Sequence, residues 1–200
     1  MRGYLEGFFR VRNRHDDHYE VELCREDDTL IGRLKLRFQR PGRARVLTDR
    51  YIAGMSLIEI LREPYNGEPF CGYENIDHEF SALEIIIREN RPDWKAALEN
   101  VKGVYLITDK RTGKRYVGSA YGASGIWSRW SCYIGTGHGW SDELTKLIHS
   151  KGIEYARAHF KFTLLEYRPM KVDDQVVVDR ENFWKEALLT RETLFGLNRN

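Results

Sequence analysis

Residues 101–120 constrain the fold more than any other segment, because they predict two short strands joined by a tight loop. An apolar run at 104–108 leads into Asp-Lys-Arg-Thr-Gly at 109–113, and the chain returns over 114–119. A short loop with its glycine late is typical of a β-hairpin. The pattern then predicts helices at about 125–134 and 141–151, a strand at 160–167 and a helix at 173–189. The predicted fold class is α+β, with a small antiparallel sheet of three strands flanked by helices.

The first half of the chain predicts a β-rich domain with short helices. Apolar and basic residues alternate over 33–38, which indicates a strand with one apolar and one basic face. The other predicted elements are a turn at Pro41-Gly42, a short amphipathic helix at 56–63, a loop at 63–77, a helix at 81–90 and a helix opened by Pro92. The helical pattern ends near residue 98. We therefore expect an N-terminal domain of residues 1–98 and a C-terminal domain of residues 99–200.

The net charge of +2 conceals two basic stretches. Residues 1–100 carry 16 basic and 19 acidic side chains, a net of −3, whereas residues 101–200 carry 16 and 11, a net of +5. Residues 31–50 hold seven basic residues against one acidic residue, and residues 101–140 hold six against one. Such stretches on a near-neutral chain are the expected footprint of a polyanionic partner. The alternative is that these charges are solvated strand faces.

Several classes of protein are disfavoured by what the sequence lacks. No apolar run approaches the roughly 20 residues of a membrane helix, and the N-terminus has no apolar stretch of signal-peptide length, so we expect no membrane partner. The three cysteines, Cys24, Cys71 and Cys132, form no C-x-x-C pair, which argues against a disulfide framework and a zinc site. We interpret them as buried small side chains in a reducing compartment and expect a cytoplasmic protein.

Two pairs of side chains in the second half are candidate site residues, although tyrosines are common in strands and most of them only pack. Tyr105 and Tyr116 lie on the two strands of the hairpin, and they share a face if Tyr105 pairs with Tyr116 but not if it pairs with Val117. The sequence leaves this register open. Arg129 and Tyr133 are four residues apart on a predicted helix, so they are neighbours at the border of its apolar face. Arginine is a planar, permanently charged clamp for a phosphate; the alternative is an exposed arginine beside a packing tyrosine.

Glu181 lies at the edge of the apolar stripe of the last helix, next to Val177 and Trp184. A carboxylate at the border of a buried face is a candidate ligand for a hard cation, because Mg²⁺ often takes only one or two protein carboxylates. Arg180 falls in the same arc, so a simple ion pair is the alternative.

These pieces together resemble the GIY-YIG nuclease superfamily. Gly-Val-Tyr at 103–105, followed eleven residues later by Tyr-Val-Gly at 116–118, is similar to the paired signature of that family. A helix with Arg129, a late helix with Glu181 and Asn198 in Gly-Leu-Asn complete the expected order. The resemblance covers about residues 100–200.

The resemblance implies an enzyme, a Mg²⁺- or Mn²⁺-dependent endonuclease that hydrolyses DNA phosphodiester bonds in restriction or defence, mobile-element or repair work. One divalent cation would be held by Glu181, and Arg129 would stabilise the charge that develops on the phosphate. Tyr105 would activate or orient the attacking water, and Tyr116 would orient water or phosphate. Tyr133 occupies a place where many members carry histidine and some carry tyrosine, so it is catalytic or supporting.

The remaining family positions have less specific roles. Asn198 orders the site or is structural, and Gly103 and Gly118 serve backbone geometry. Residues 133–135 spell the literal Tyr-Ile-Gly, but they lie on a predicted helix 28 residues after Tyr105. We therefore interpret residues 116–118 as the true counterpart.

The partners follow from the charges and from the number of sites. The candidate nucleic-acid contacts are Arg33, Lys35, Arg37, Lys114, Arg115 and His138. Residues 1–98 are a candidate target-recognition domain, unless the acidic residues among 16–28 pair with the basic strand and leave it no such role. One site per chain cuts one strand per event, so cutting both strands needs a homodimer or rebinding. The competing classes are a nucleic-acid-binding module without catalysis and a protein-interaction module.

Overall fold

A computed structural model of the chain describes residues 2–4, 8–15, 19–24, 28–38, 55–123 and 125–199. The chain divides into two compact units, Met1–Tyr65 and Asn66–Asn200. The division therefore falls at residue 65, not near residue 98 as the sequence predicts. The reason is that the two helices expected to close the N-terminal domain pack against helices and strands of the C-terminal unit.

The N-terminal unit is built of short antiparallel strands. They are β1 (Arg2–Tyr4), β2 (Phe8–Arg14), β3 (Tyr19–Cys24), β4 (Leu34–Phe38) and β5 (Met55–Ile60), with a 3-10 turn at Asp28–Leu30. One sheet has the order β1-β4-β5, and β2 and β3 form a second. The helix predicted at 56–63 is wrong, because residues 55–60 pair with β4 as a strand. Pairing to a neighbouring strand outweighs the weak helical period of this segment. The predicted turn at Pro41-Gly42 lies outside the described residues.

The C-terminal unit contains a four-stranded antiparallel sheet between helices, which confirms the α+β fold class. Its strands are β6 (Asp77–Glu79), β7 (Val101–Asp109), β8 (Arg115–Ala120) and β9 (Phe160–Pro169), in the order β6-β9-β7-β8. Its helices are α1 (Phe80–Arg88), α2 (Pro92–Leu98), α3 (Gly125–Thr136), α4 (Asp142–Lys151), α5 (Ile153–His159) and α6 (Asp174–Ala187). Four strands replace the predicted three because β6, which begins at the last residue of the predicted loop, pairs with the first residues of β9.

Side chains alternate along strand β7 and so point to both faces of the sheet, and both faces of this strand are buried. Tyr105 and Ile107 point into the larger core, which α3 closes with the fully buried Trp130. Val104 points to the other face, where it packs against Val177 of α6. Helices α3 and α6 therefore lie on opposite faces of one sheet.

The hairpin register pairs Tyr105 with Gly118 and Tyr116 with Ile107. This is neither of the two pairings considered from the sequence. Cross-strand partners share a face, so Tyr105 and Tyr116 nevertheless lie on the same face of the sheet, diagonally related. The register thus brings both phenols to the α3 side.

Two further predictions, on membrane helices and on the cysteines, can be compared with the described residues. No helix in the described ranges is long and apolar enough to cross a membrane. Cys71 and Cys132 are free thiols, as expected, but Cys71 is exposed rather than buried.

Candidate active site

A cleft lies at the free edge of β8, where the two faces of the sheet meet. The chain following α6 covers the first part of this edge: the Arg115 N–H donates to the Phe195 carbonyl at 3.0 Å, and the Leu197 N–H donates to the Arg115 carbonyl at 2.9 Å. Beyond this cover an open cleft of about 490 Å³ is lined by Tyr116, Ser119, Tyr121, Ser128, Arg129 and Glu181, among others.

Asn198 ends the cover on the edge of β8. Its Oδ1 accepts a hydrogen bond from the Val117 N–H at 2.9 Å, and its Nδ2 donates to the Val117 carbonyl at 2.8 Å. The amide thus imitates one more residue of a paired strand. Because outward N–H and C=O groups alternate along a strand, the Ser119 backbone is the next to face this edge, inside the cleft. Asn198 itself is 5% exposed and holds the strand rather than lining the cleft.

Arg129 is fixed at the cleft by two buried phenols. Its Nε donates to the Tyr105 hydroxyl at 3.1 Å and its Nη2 to the Tyr133 hydroxyl at 3.3 Å. The guanidinium carbon also lies 5.0 Å from the centre of the Tyr133 ring, a cation–π distance. Arginine has five N–H groups, so three remain for a ligand in the cleft. The (i, i+4) prediction for Arg129 and Tyr133 on α3 is confirmed.

Tyr105 and Tyr133 are both completely buried, and the Tyr105 hydroxyl donates to that of Tyr133 at 3.2 Å. Burial raises the pKa of Tyr105, and the Arg129 cation beside it offsets only part of that effect. Burial likewise raises the pKa of Tyr133 well above its ordinary value. Both phenols therefore stay neutral and serve as hydrogen-bonding groups, set behind the cleft wall.

Tyr116, in contrast, faces the cleft. Its side chain is 9% exposed, and its ring meets the Tyr133 ring edge-on at 6.4 Å between centres. Of the two signature tyrosines, the structure brings Tyr116 to the ligand-accessible surface and places Tyr105 behind it, supporting Arg129.

The two signature glycines are required by close approaches. A Cβ on Gly118 would lie 2.6 Å from the Tyr105 hydroxyl, so only glycine lets this phenol cross β8 and reach Arg129. A Cβ on Gly103 would lie 2.4 Å from the carbonyl oxygen of Glu166 on the adjoining strand. Both residues act through backbone geometry, as the sequence predicts.

Glu181 enters the cleft from the opposite face of the sheet. One of its carboxylate oxygens accepts a hydrogen bond from the Ser119 hydroxyl, and the other lies 2.9 Å from the Lys185 ammonium. Lys185 is 3% exposed, so this is a nearly buried ion pair within α6. The alternative partner, Arg180, is bound elsewhere, to Glu166. Two residues of the predicted stripe, Val176 and Phe183, are 43% and 49% exposed and do not pack as predicted.

The cleft offers one carboxylate and several hydroxyls to a cation. In the part of the chain that the structure describes, no group of three or more His, Cys, Asp or Glu side chains is placed to hold a metal. A carboxylate has about four acceptor positions, and Ser119 and Lys185 occupy two of those on Glu181. The remaining positions, with the hydroxyls of Ser119 and Tyr116, are hard oxygen donors of the kind that Mg²⁺ and Mn²⁺ accept. The donor set therefore fits one hard cation completed by water and a phosphate.

Arg33 and Lys35, two predicted nucleic-acid contacts in the N-terminal unit, have partners within that unit. Arg33 donates to the carbonyls of Leu61 and Thr29, and Lys35 pairs with Glu59 on the neighbouring strand. Arg37 is exposed on β4. The acidic residues on β3, Glu20 and Glu22, pair with His15 and Arg12 beside them in the other sheet of the unit.

The predicted contacts on the hairpin and on the loop before α4 do not line the cleft. Lys114 and Arg115 are partly buried, and the cleft walls include neither. His138 is 6% exposed, and its Nδ1 accepts hydrogen bonds from the Trp140 N–H at 3.0 Å and from Thr145. It shapes a turn rather than presenting itself to a ligand. The other basic residues of the 31–50 stretch, at positions 40, 43, 45 and 50, lie outside the described residues.

Sequence reasoning missed Ser119, Lys185 and Trp140 as site residues. Lys185 follows Glu181 by four positions, a spacing that predicts contact on a helix. Ser119 and Val117 share the face of β8 that looks toward α6, so strand parity was a usable signal for Ser119. Nothing in the sequence marks Trp140, because its exposure depends on the turn before α4.

The cleft therefore brings together an arginine held by two phenols, a third phenol in its wall and one carboxylate, all at positions through which the sequence resembles the GIY-YIG nuclease superfamily. This chain is similar to two solved structures of the catalytic domain of the intron, or homing, endonuclease I-TevI, one of which is a mutant. Identities are 26% and 27% over 50% of this chain and 94% and 98% of theirs, with a TM-score of 0.37 for both. No family model and no curated protein matches the chain.

Proposed function

We propose that this protein is a divalent-metal-dependent endonuclease that hydrolyses DNA phosphodiester bonds at the edge of β8. The observation that carries the proposal is Arg129, whose guanidinium is fixed by Tyr105 and Tyr133 in the cleft that also contains Glu181. A cation so oriented, with three N–H groups left over, suits a phosphate whose negative charge increases as water attacks it.

Arg129 is the electrostatic part of the mechanism. The two phenols fix the guanidinium before a substrate arrives, so no reorganisation is needed when the pentacovalent phosphorane forms. Removing one fixed donor of this kind typically costs about 100-fold to 1,000-fold in rate. Tyr105 and Tyr133 are positioning residues that act through Arg129.

Tyr116 is the residue that orients the attacking water. It is the signature phenol that lines the cleft, beside Arg129 and Ser119. A phenol hydroxyl both donates and accepts hydrogen bonds, so Tyr116 can orient a water beside the guanidinium. Arg129 in the same wall supplies a fixed positive charge.

Glu181 is the residue that would hold the metal, with the Ser119 hydroxyl nearby. A bound Mg²⁺ or Mn²⁺ would supply Lewis-acid stabilisation of phosphate oxygens and a more acidic water. Ser119 and Lys185 hold the carboxylate toward the cleft in the free protein.

The other parts of the proposal concern the setting of this activity. The N-terminal unit, with Arg37 exposed on β4, is the proposed target-recognition element, and the cytoplasm is the proposed location, supported by the free thiols of Cys71 and Cys132. A homodimer is the proposed way to cut both strands of a duplex. The ratio of nicked to linear plasmid early in a reaction tests it, because a monomer produces nicked circles first.

The test is plasmid cleavage by wild type, Glu181→Gln and Arg129→Lys, in Mg²⁺, in Mn²⁺ and in EDTA. Glu186→Gln is the matched control, since Glu186 is an exposed carboxylate on the same helix, 75% exposed and paired with Arg191. We expect wild type and the Glu186→Gln control to cleave the plasmid, and EDTA to abolish that cleavage. In both site variants the cleavage rate should fall by about 100-fold or more.

Two outcomes contradict the proposal. Cleavage that persists in Glu181→Gln and Arg129→Lys preparations would place the site elsewhere. DNA binding that weakens with salt, without cleavage under any metal condition, would instead identify a binding module.

A further inference from the structure

Trp140 is the most exposed aromatic side chain of the described ranges, with 73% of its surface accessible. It also has a backbone φ of +62°, the left-handed region that a bulky residue rarely adopts. A large apolar ring in an unfavourable backbone conformation, facing solvent, is not explained by the stability of the free protein. Strained residues of this kind cluster where a ligand is bound.

The turn that carries Trp140 is built by specific contacts. The Thr136 hydroxyl accepts hydrogen bonds from the N–H groups of His138 and Gly139, at 3.2 and 2.8 Å. His138 Nδ1 accepts from the Trp140 N–H, which requires a ring unprotonated at Nδ1. Burial lowers the pKa of His138, which favours that neutral ring.

The same turn is packed against the arginine clamp. A Cβ on Gly139 would lie 2.4–2.6 Å from carbon atoms of the Tyr133 ring. Gly139 therefore lets the turn rest directly on the phenol that accepts from Arg129. The position of Trp140 is thus coupled to the position of Arg129.

Trp140 lines a second lobe of the cleft. This lobe has a volume of about 230 Å³ and shares Tyr116 and Arg129 with the larger one. Drug-sized ligands fill about 300–1,000 Å³, so the second lobe has room for a single flat ring system. A group bound there would adjoin whatever Arg129 holds.

The charges of the second lobe favour a neutral ligand over a second phosphate. Glu143 is neutralised by Lys146 at 2.8 Å and by Arg199 at 2.5 Å. Asp142 adds a carboxylate that repels phosphate oxygens but accepts hydrogen bonds from the N–H groups of nucleobases, including the N3–H of thymine.

We propose that Trp140 is a stacking platform for a nucleobase of the cleaved strand, one that adjoins the phosphate held by Arg129. This inference rests on the proposed nuclease function. Stacking on an aromatic ring needs an unstacked base, so the site favours single-stranded or locally opened DNA.

The test is fluorescence anisotropy in EDTA, which prevents cleavage, with two labelled strands. One is an oligothymidylate, and the other is an abasic strand of equal length with the same phosphates. The proteins are wild type, Trp140→Ala, Trp140→Phe and the control Phe183→Ala, which removes an exposed aromatic ring from α6 outside both lobes.

We expect Trp140→Ala to bind the oligothymidylate about 5-fold to 100-fold more weakly than wild type, the range of a single base–aromatic stack. Trp140→Phe and Phe183→Ala should stay close to wild type. Wild type and Trp140→Ala should bind the abasic strand equally. A second readout uses only the wild-type protein. The oligothymidylate should quench its tryptophan fluorescence, and the abasic strand should not.

Equal binding of the oligothymidylate by wild type and Trp140→Ala, or equal quenching by both strands, would overturn the stacking site. Wild type that binds neither strand would overturn it together with the nuclease proposal. Loss of binding in Trp140→Ala without plasmid cleavage by wild type would retain the base site and reject only the nuclease.

Discussion

The structure assigns different roles to the two signature tyrosines, and Phe substitutions separate them. Tyr116 is accessible in both lobes of the cleft, whereas Tyr105 is completely buried behind Arg129. Removing a proton-transfer or water-orienting group costs about 100-fold to 10,000-fold in rate. We therefore expect Tyr116→Phe to lower the cleavage rate by at least about 100-fold with little change in stability.

Tyr105→Phe removes one of the two hydrogen bonds on the guanidinium, the one of 3.1 Å from Nε. Arg129 keeps its contact with the Tyr133 hydroxyl and ring. A hydrogen bond to a charged group contributes about 1.5–3 kcal/mol, equivalent to roughly 10-fold to 150-fold at 1.4 kcal/mol per tenfold. The loss should fall within that range and act through the position of Arg129.

The pH dependence of the cleavage rate tests whether Tyr105 acts only by positioning Arg129. Single-turnover rates on plasmid DNA, measured across about pH 6 to 10, should keep the wild-type profile in Tyr105→Phe, because a buried phenol with a raised pKa does not titrate there. Tyr116→Phe should be slower than wild type at every pH in this range, because the water-orienting hydroxyl is missing. Thermal unfolding of both variants controls for folding.

The reverse result would refute this assignment. If Tyr105→Phe changes the pH profile while Tyr116→Phe leaves the cleavage rate unchanged, the buried phenol transfers the proton and Tyr116 has only a packing role. That result would also require the cleft wall to open when DNA binds, since Tyr105 has no accessible surface.

Two further predictions concern stability. Asn198→Ala removes both hydrogen bonds to Val117 and leaves buried backbone groups unpaired, so it should lower the free energy of unfolding by about 2 kcal/mol or more; an unchanged urea midpoint would contradict the strand-like role of Asn198. Hydrogen bonds from Arg91, then from the Phe70 and Trp94 N–H groups, hold the pKa of Asp93 well below 3.8. The charged Asp93 carboxylate therefore stabilises the fold above pH 3.8, and this stabilisation is lost as pH falls through the folded pKa. Asp93→Asn should therefore lower Tm near neutral pH, and its difference from wild type should narrow below about pH 4.

The C-terminal sheet could be predicted from sequence because its signals are local. The hairpin loop, the apolar face of α3 and the Asp173 cap that opens α6 each lie within a few residues of the element they define. The errors occur where distant pairing decides. Residues 55–60 are a strand because β4 lies beside them, and β6 is too short for a period-two pattern and exists through its pairing with β9.

The site was predictable in its composition but not in its arrangement. Arg129 and Tyr133 follow from helical spacing, but the pairing of Tyr105 with Gly118 is a register that turn chemistry alone left open. That register decides which phenol reaches the cleft. Trp140 depends on a hydrogen-bonded turn and on the missing Cβ of Gly139, and neither is encoded by periodicity.

The location of the cleft follows from the topology of the sheet. Tyr116 and Arg129 belong to the α3 face, and Ser119 and Glu181 belong to the α6 face. Inside a sheet the backbone separates two such sets, so they can meet only at an edge strand. The chain after α6 pairs with the edge of β8 as far as Val117, where Asn198 ends it, and the Ser119 position stays open. A tail extended by one more paired residue would close the gap through which the two sets reach a common ligand. Asn198 therefore sets the boundary of the cleft and also holds the edge of β8 in place.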